Sequence, residues 1–137
     1  MNLNSILIGS DNPQRLKDYY TRLFGNPTWD EGGYFGWQIG SGAVTVGLHD
    51  QVKGKNSAPG RVIWNIETSD VKGDYEKLKA AGATVVREPY QPGQPEAGQD
   101  FWISTFSDPD NNYFQLMSPV EMTAAAGSSR TQSASRM

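Results

Sequence analysis

The sequence predicts an α+β domain built from two tandem βαβββ modules, and three observations carry that expectation. A short β-branched run followed by a helix start occurs twice, at Ser5–Gly9 before Pro13 and at Arg61–Glu67 before Val71. Each helix is followed by short apolar runs separated by Gly-, Pro- or Asn-rich turns, which is the punctuation of hairpins. Only two copies of a long period are present, so the pattern is an internal duplication and not a solenoid.

The elements follow in order. Ser5 to Gly9 reads as a strand, and Asp11 or Asn12 then caps a helix with Pro13 at its first position. Leu16, Tyr19, Tyr20 and Leu23 recur at helical spacing, and Gly25 is a natural stop. Gly32-Gly33 marks a turn before a strand from Tyr34 to Ile39. Gly40-Ser41-Gly42 turns the chain into a strand from Ala43 to Leu48. Gln51 to Gly60 is polar and reads as a linker. In the second copy, Ser69-Asp70 caps a helix whose Val71, Tyr75 and Leu78 share one face. Strands are expected from Ala83 to Arg87, Asp100 to Phe106 and Tyr113 to Met117, with a long loop from Glu88 to Gly98 and a turn at Asp108–Asn112. The expected organisation is one domain over residues 1–120, with modules at 3–50 and 61–119 and a linker at 51–60. Residues 121–137 are small and polar and are expected to form a flexible tail.

Bulk properties exclude several function classes. The chain of 137 residues carries a net charge of -3, which disfavours binding to nucleic acid. No apolar run approaches the roughly 20 residues that span a bilayer, and no partnership with a membrane is expected. The segment Met1–Asn4 lacks the features of a signal peptide. The absence of cysteine rules out disulfides and thiolate metal sites. A cytosolic location is expected. Four Trp, six Tyr and five Phe favour contact with an organic ligand.

Three motifs point to a family. Asp70–Gly82 followed by Arg87-Glu88-Pro89, the turn and strand Asp108-Pro109-Asp110-Asn111-Asn112-Tyr113-Phe114-Gln115-Leu116, and Ser10–Gly25 occur in order within the duplicated layout. Together they resemble the glyoxalase/bleomycin-resistance, or vicinal oxygen chelate, superfamily from Leu3 to about Pro119. The resemblance implies half-barrel sheets with helices outside, enclosing a cup. Where that superfamily binds a metal, His, Glu or Gln project into the cup from the first and last strand of each module. The matching positions here are Ser5 (Asn4 with a slip of one), Val46, Ile63 and Gln115. Val and Ile offer no lone pair, so neither metal nor other cofactor is expected. His49, the single histidine, is expected off the cup face at a strand end, exposed beside Asp50.

With Ile63 inward, alternation puts Asn65 and Glu67 on the cup face and turns Val62, Trp64 and Ile66 towards the helix. Glu67 is the candidate general base if buried, or an ionised strand-end carboxylate if not. Tyr113, Gln115 and Met117 share one face and suit an organic ligand. Trp37 and Trp102 occupy comparable strands near Tyr34, Phe35 and Phe101, and form either an aromatic clamp or core and interface packing. The loop Pro89–Glu96 is a candidate cover for the cup or a simple connection. The expected function is metal-free binding of an organic, cationic or aromatic ligand by a homodimer. The alternatives are a lyase, isomerase or dioxygenase of the same superfamily, using a metal or Glu67, or a structural dimer whose cup its own side chains fill.

Overall fold

The computed structural model describes residues 1–93 and 100–120. The first module comprises β1 (Ser5–Ser10), α1 (Pro13–Phe24), β2 (Trp29–Glu31), β3 (Tyr34–Ile39) and β4 (Gly42–Leu48). The second comprises β5 (Ile63–Glu67), α2 (Val71–Ala80), β6 (Thr84–Tyr90), β7 (Ile103–Ser107) and β8 (Tyr113–Met117). Each module forms a four-stranded sheet, ordered β1-β4-β3-β2 and β5-β8-β7-β6. The first and last strands of each module pair in parallel, and the others pair antiparallel. The α+β class and the duplicated layout are those the sequence predicts.

Local differences have local causes. β2, the strand that completes the βαβββ pattern of the first module, is three exposed residues long, with no apolar alternation to announce it. It pairs with β3 from Trp29↔Gly36 to Glu31↔Tyr34. Pro59–Arg61 form a 3-10 turn where a strand start was expected, and Val62 is exposed ahead of β5 instead of packing on a helix. β6 runs on to Tyr90 through two register shifts against β7, and β7 begins only at Ile103. Of the expected cover segment Pro89–Glu96, Pro89 and Tyr90 belong to β6 and residues 94–96 lie outside the described residues, as does the tail at 121–137.

The helix starts are built differently. Asp70 caps α2 by accepting the Gly73 N–H at 3.0 Å. Asn12 occupies the cap position of α1, but its side chain makes no cap bond. Its N–H donates instead to Ser10 Oγ at 2.9 Å, and Pro13 supplies a first-turn residue with no N–H to satisfy.

The core lies between the sheets. Leu16, Tyr19 and Tyr20 of α1 are fully buried, as are Trp37, Val44 and Val46 of the first sheet and Phe106, Phe114 and Leu116 of the second. The Tyr20 ring lies 5.7 Å from Trp37 on β3 and 6.1 Å from Phe114 on β8. Those strands belong to different sheets, so one side chain of α1 touches the inner face of both. Phe24 of the same helix reaches Trp64 and Phe114. Helices therefore cover one face of each sheet, as expected, and Tyr20 of α1 meets the covered faces of both. The other face of each sheet is left open.

Candidate functional site

The alternation of β5 and β8 decides what the second open face carries. Trp64, Ile66, Phe114 and Leu116 turn to the core. Ile63, Asn65 and Glu67 therefore share the open face with Tyr113, Gln115 and Met117, in register as Ile63↔Tyr113, Asn65↔Gln115 and Glu67↔Met117. Across β7 and β6 the rows continue. Gln115 pairs with Thr105 and Thr105 with Arg87, while Met117 pairs with Ile103 and Ile103 with Tyr90. One level of the face is thus a polar row of Asn65, Gln115, Thr105 and Arg87. Gln115 Nε2 donates to Thr105 Oγ1 at 3.1 Å, which fixes the amide and leaves its carbonyl oxygen free to accept. The Arg87 guanidinium lies 3.4 Å from the centre of the Tyr90 ring. Glu67 sits exposed at the end of its strand, which is the solvated arrangement and not a buried base.

The first sheet presents Ser5, Leu7 and Gly9 of β1, Ala43, Thr45 and Gly47 of β4, and Tyr34, Gly36 and Gln38 of β3. Two aromatic rings lie flat over glycines on this face. Trp29 covers Gly36 and Tyr34 covers Gly47, where any Cβ would collide with the ring. Leu7 is 57% exposed, Tyr34 44% and Trp29 37%, an apolar surface unusual for residues of this size.

Several expected site residues are elsewhere. Trp37 is not a ligand contact. It shares a face with Phe35 and Ile39, lies in the core at 1% exposure, and donates its indole N–H to the Gly25 carbonyl at 2.9 Å. Trp102 lies on the α2 side, with the Lys72 ammonium 3.8 Å above its ring and its indole N–H on the Asp100 carboxylate. The Trp37–Trp102 clamp is therefore not formed. Val46 also faces the core and not the open face, because it packs with Val44 beneath α1. That inverts the face assigned to His49. Its Cβ sits against Gly9 at one end of the open face of the first sheet, where it is 45% exposed and its Nδ1 accepts the Gln51 N–H at 3.2 Å.

A divalent metal does not fit the side chains at the superfamily's ligand positions. On the open faces these positions read Ser5, Thr45 or Gly47 beside the buried Val46, Ile63 and Gln115. Only one amide oxygen and two hydroxyls are offered where imidazole and carboxylate are needed. Among the described residues, no three of His, Cys, Asp and Glu come together as a metal would require.

The most polar buried region is structural. Asp108 accepts the backbone N–H groups of Asp110 and Asn112 and the Tyr20 hydroxyl. Asp110 accepts two bonds from Arg15, at 2.8 and 2.6 Å, and one from Ser10 Oγ at 2.6 Å. Burial pushes the Asp108 carboxyl up, against the lowering effect of these bonds. Burial and the neighbouring Asp108 push the Tyr20 phenol well up. The turn that closes the second module is thereby locked to the helix of the first.

Residues 5–117 match the glyoxalase-like domain family. The chain belongs to that family. No curated protein matches the sequence significantly. Among solved structures, a glyoxalase-related enzyme from Fulvimarina pelagi superposes with TM-score 0.64 at 19% identity, covering 96% of this chain and 99% of that one. A glyoxalase/bleomycin resistance protein/dioxygenase family enzyme from Burkholderia phytofirmans gives 0.62 at 17% identity, over 86% of this chain and 98% of its own. TioX from Micromonospora sp. ML1 gives 0.64 at 17% identity, over 86% and 98%. These likenesses establish the fold. Among the described residues, no helix is long and apolar enough to cross a membrane.

Proposed function

We propose that this protein binds an organic molecule, without a metal, in a cup completed by a second copy of the chain. The observation that carries the reading is the content of the open face on the second sheet: amide, hydroxyl, phenol, thioether and guanidinium side chains in ordered rows, with hydrocarbon where a metal ligand would stand. Such a surface recognises carbonyl and hydroxyl groups while its Tyr and Met contact flat apolar area. Pairing is supported by the open face that each sheet leaves and by the exposed Leu7, Trp29 and Tyr34 on one of them. In a twofold pair, the aromatic face of one copy closes over the polar rows of the other.

The exposed Glu67 supports no base-catalysed reaction, so binding is the reading preferred here. Tryptophan fluorescence tests it, because Trp29 is on the open face whereas Trp37 and Trp64 are in the core. Titration with a panel of flat cationic antibiotics and aromatic carboxylic acids is expected to give a saturable change with at least one compound. Trp29→Phe should lose that change and Gln115→Ala should weaken the affinity. A flat response across the panel contradicts the reading.

A further inference from the structure

Beside Gly9, at one end of the first sheet's open face, the segment joining the two modules bounds a half-open cavity of about 350 Å³, within the range of small-molecule sites. We infer that this cavity is a second site, for a phosphate group, either free or carried on a small metabolite. Lys53 and Lys55 both line it, with Gln51, Asn56, Ser57 and Asp110. Among the described residues neither lysine has a carboxylate within ion-pair distance, as the five ion pairs involve other cations. Two neighbouring uncompensated ammonium groups are notable in a chain of net charge -3. Together they match a doubly charged anion better than a single carboxylate does.

The carboxylates nearby cancel only part of that charge, since Lys53, Lys55 and Arg15 outnumber Asp11 and Asp110 by one. Asp110 contributes to the wall, but Arg15 and Ser10 occupy both its oxygens. Asp11 accepts the Gly54 N–H at 2.7 Å and approaches the same Arg15 guanidinium at 3.5 Å.

The loop is also built, not merely adjacent. Gly54 at φ +67° reverses the chain between the two lysines, a conformation open to glycine and costly for lysine. Asn56 N–H donates to the Asp110 carbonyl at 2.7 Å, and its side chain bonds Asn112 at 3.1 Å. Asn111 Nδ2 returns a bond to the Asn56 carbonyl at 2.9 Å. A segment joining two modules needs none of these ties to connect them. They fix the backbone that carries the two lysines and reduce the ordering cost of binding there.

The test is a ¹⁵N NMR titration at constant ionic strength with inorganic phosphate, glycerol 3-phosphate, sodium acetate and sodium chloride. Saturable shifts confined to the amides of residues 51–57 and 110–112 are expected with phosphate, glycerol 3-phosphate or both. Which of the two binds more tightly separates the free ion from the esterified group. K53A/K55A should weaken binding by about tenfold or more, the equivalent of one charged contact or more, and K53R/K55R should retain it. Both variants should keep the thermal midpoint, since the lysines are exposed. A linear drift equal to that in chloride, acetate binding as tightly as phosphate, or undiminished binding by K53A/K55A would overturn the inference.

Discussion

Asp108 shows how much a single buried carboxylate organises. It holds two backbone N–H groups of its own turn and the hydroxyl of Tyr20 from the other module, at 4% exposure. Asp108→Ala leaves those donors without a partner and should cost about 3 kcal/mol in urea unfolding. The pH dependence has a definite sign. Burial holds the folded carboxyl above its ordinary value of 3.8, so the folded state binds that proton more tightly than the unfolded chain does. The resulting stability is complete below about pH 4 and is lost as pH rises through the folded pKa. Asp108→Asn has nothing to titrate there. Its stability relative to wild type should therefore increase between pH 4 and pH 7, and a decrease over that range would contradict the direction. Asp108 was legible in the sequence as a turn residue. Its hold on Tyr20, 88 positions away, was not, because spacing along a chain says nothing about partners across a core.

At the level of strands, period-two alternation separates faces reliably but does not name them. In β5 the distinction was readable, since Trp64 and Ile66 oppose Asn65 and Glu67. In β4 every residue is small or apolar, and aligning Val46 with a ligand position turned the strand the wrong way. A better signal was the glycine content of the opposite face. Gly9, Gly36 and Gly47 cannot supply bulk to a core, whereas Phe35, Trp37, Val44 and Val46 can. The glycines instead make room for Trp29 and Tyr34, neither of which was assigned to the site. The contrast between faces is measurable on β8. Phe114 stacks on Trp64 at 5.0 Å and on Phe106 at 5.2 Å. Phe114→Ala should lower stability by about 4 kcal/mol, while Gln115→Ala on the open face should change it by less than about 1 kcal/mol. Equal losses would mean the faces are misassigned.

At the scale of the whole molecule, the duplication and the fold were readable because caps, turns and apolar runs recur in order. The contact of α1 with the second sheet was not, because spacing along the chain does not say which side of that helix meets it. Leu16, Tyr19 and Tyr20 are buried, with Tyr20 touching both sheets, and each sheet keeps one open face. Sedimentation equilibrium should accordingly give about twice the 15.1 kDa chain mass. Leu7→Glu, placing a charge on the aromatic face, should shift the protein towards the monomer without unfolding it. A monomeric wild type at micromolar concentration would remove the second wall of the cup.

The central claim is that organic groups, and no coordinated cation, are what the open face recognises. Elemental analysis of protein purified without chelators tests it most directly. Ni, Mn, Fe and Zn are each expected far below one equivalent per chain, unchanged in Gln115→Ala. One equivalent of any of them, lost when Gln115 is replaced, would contradict it.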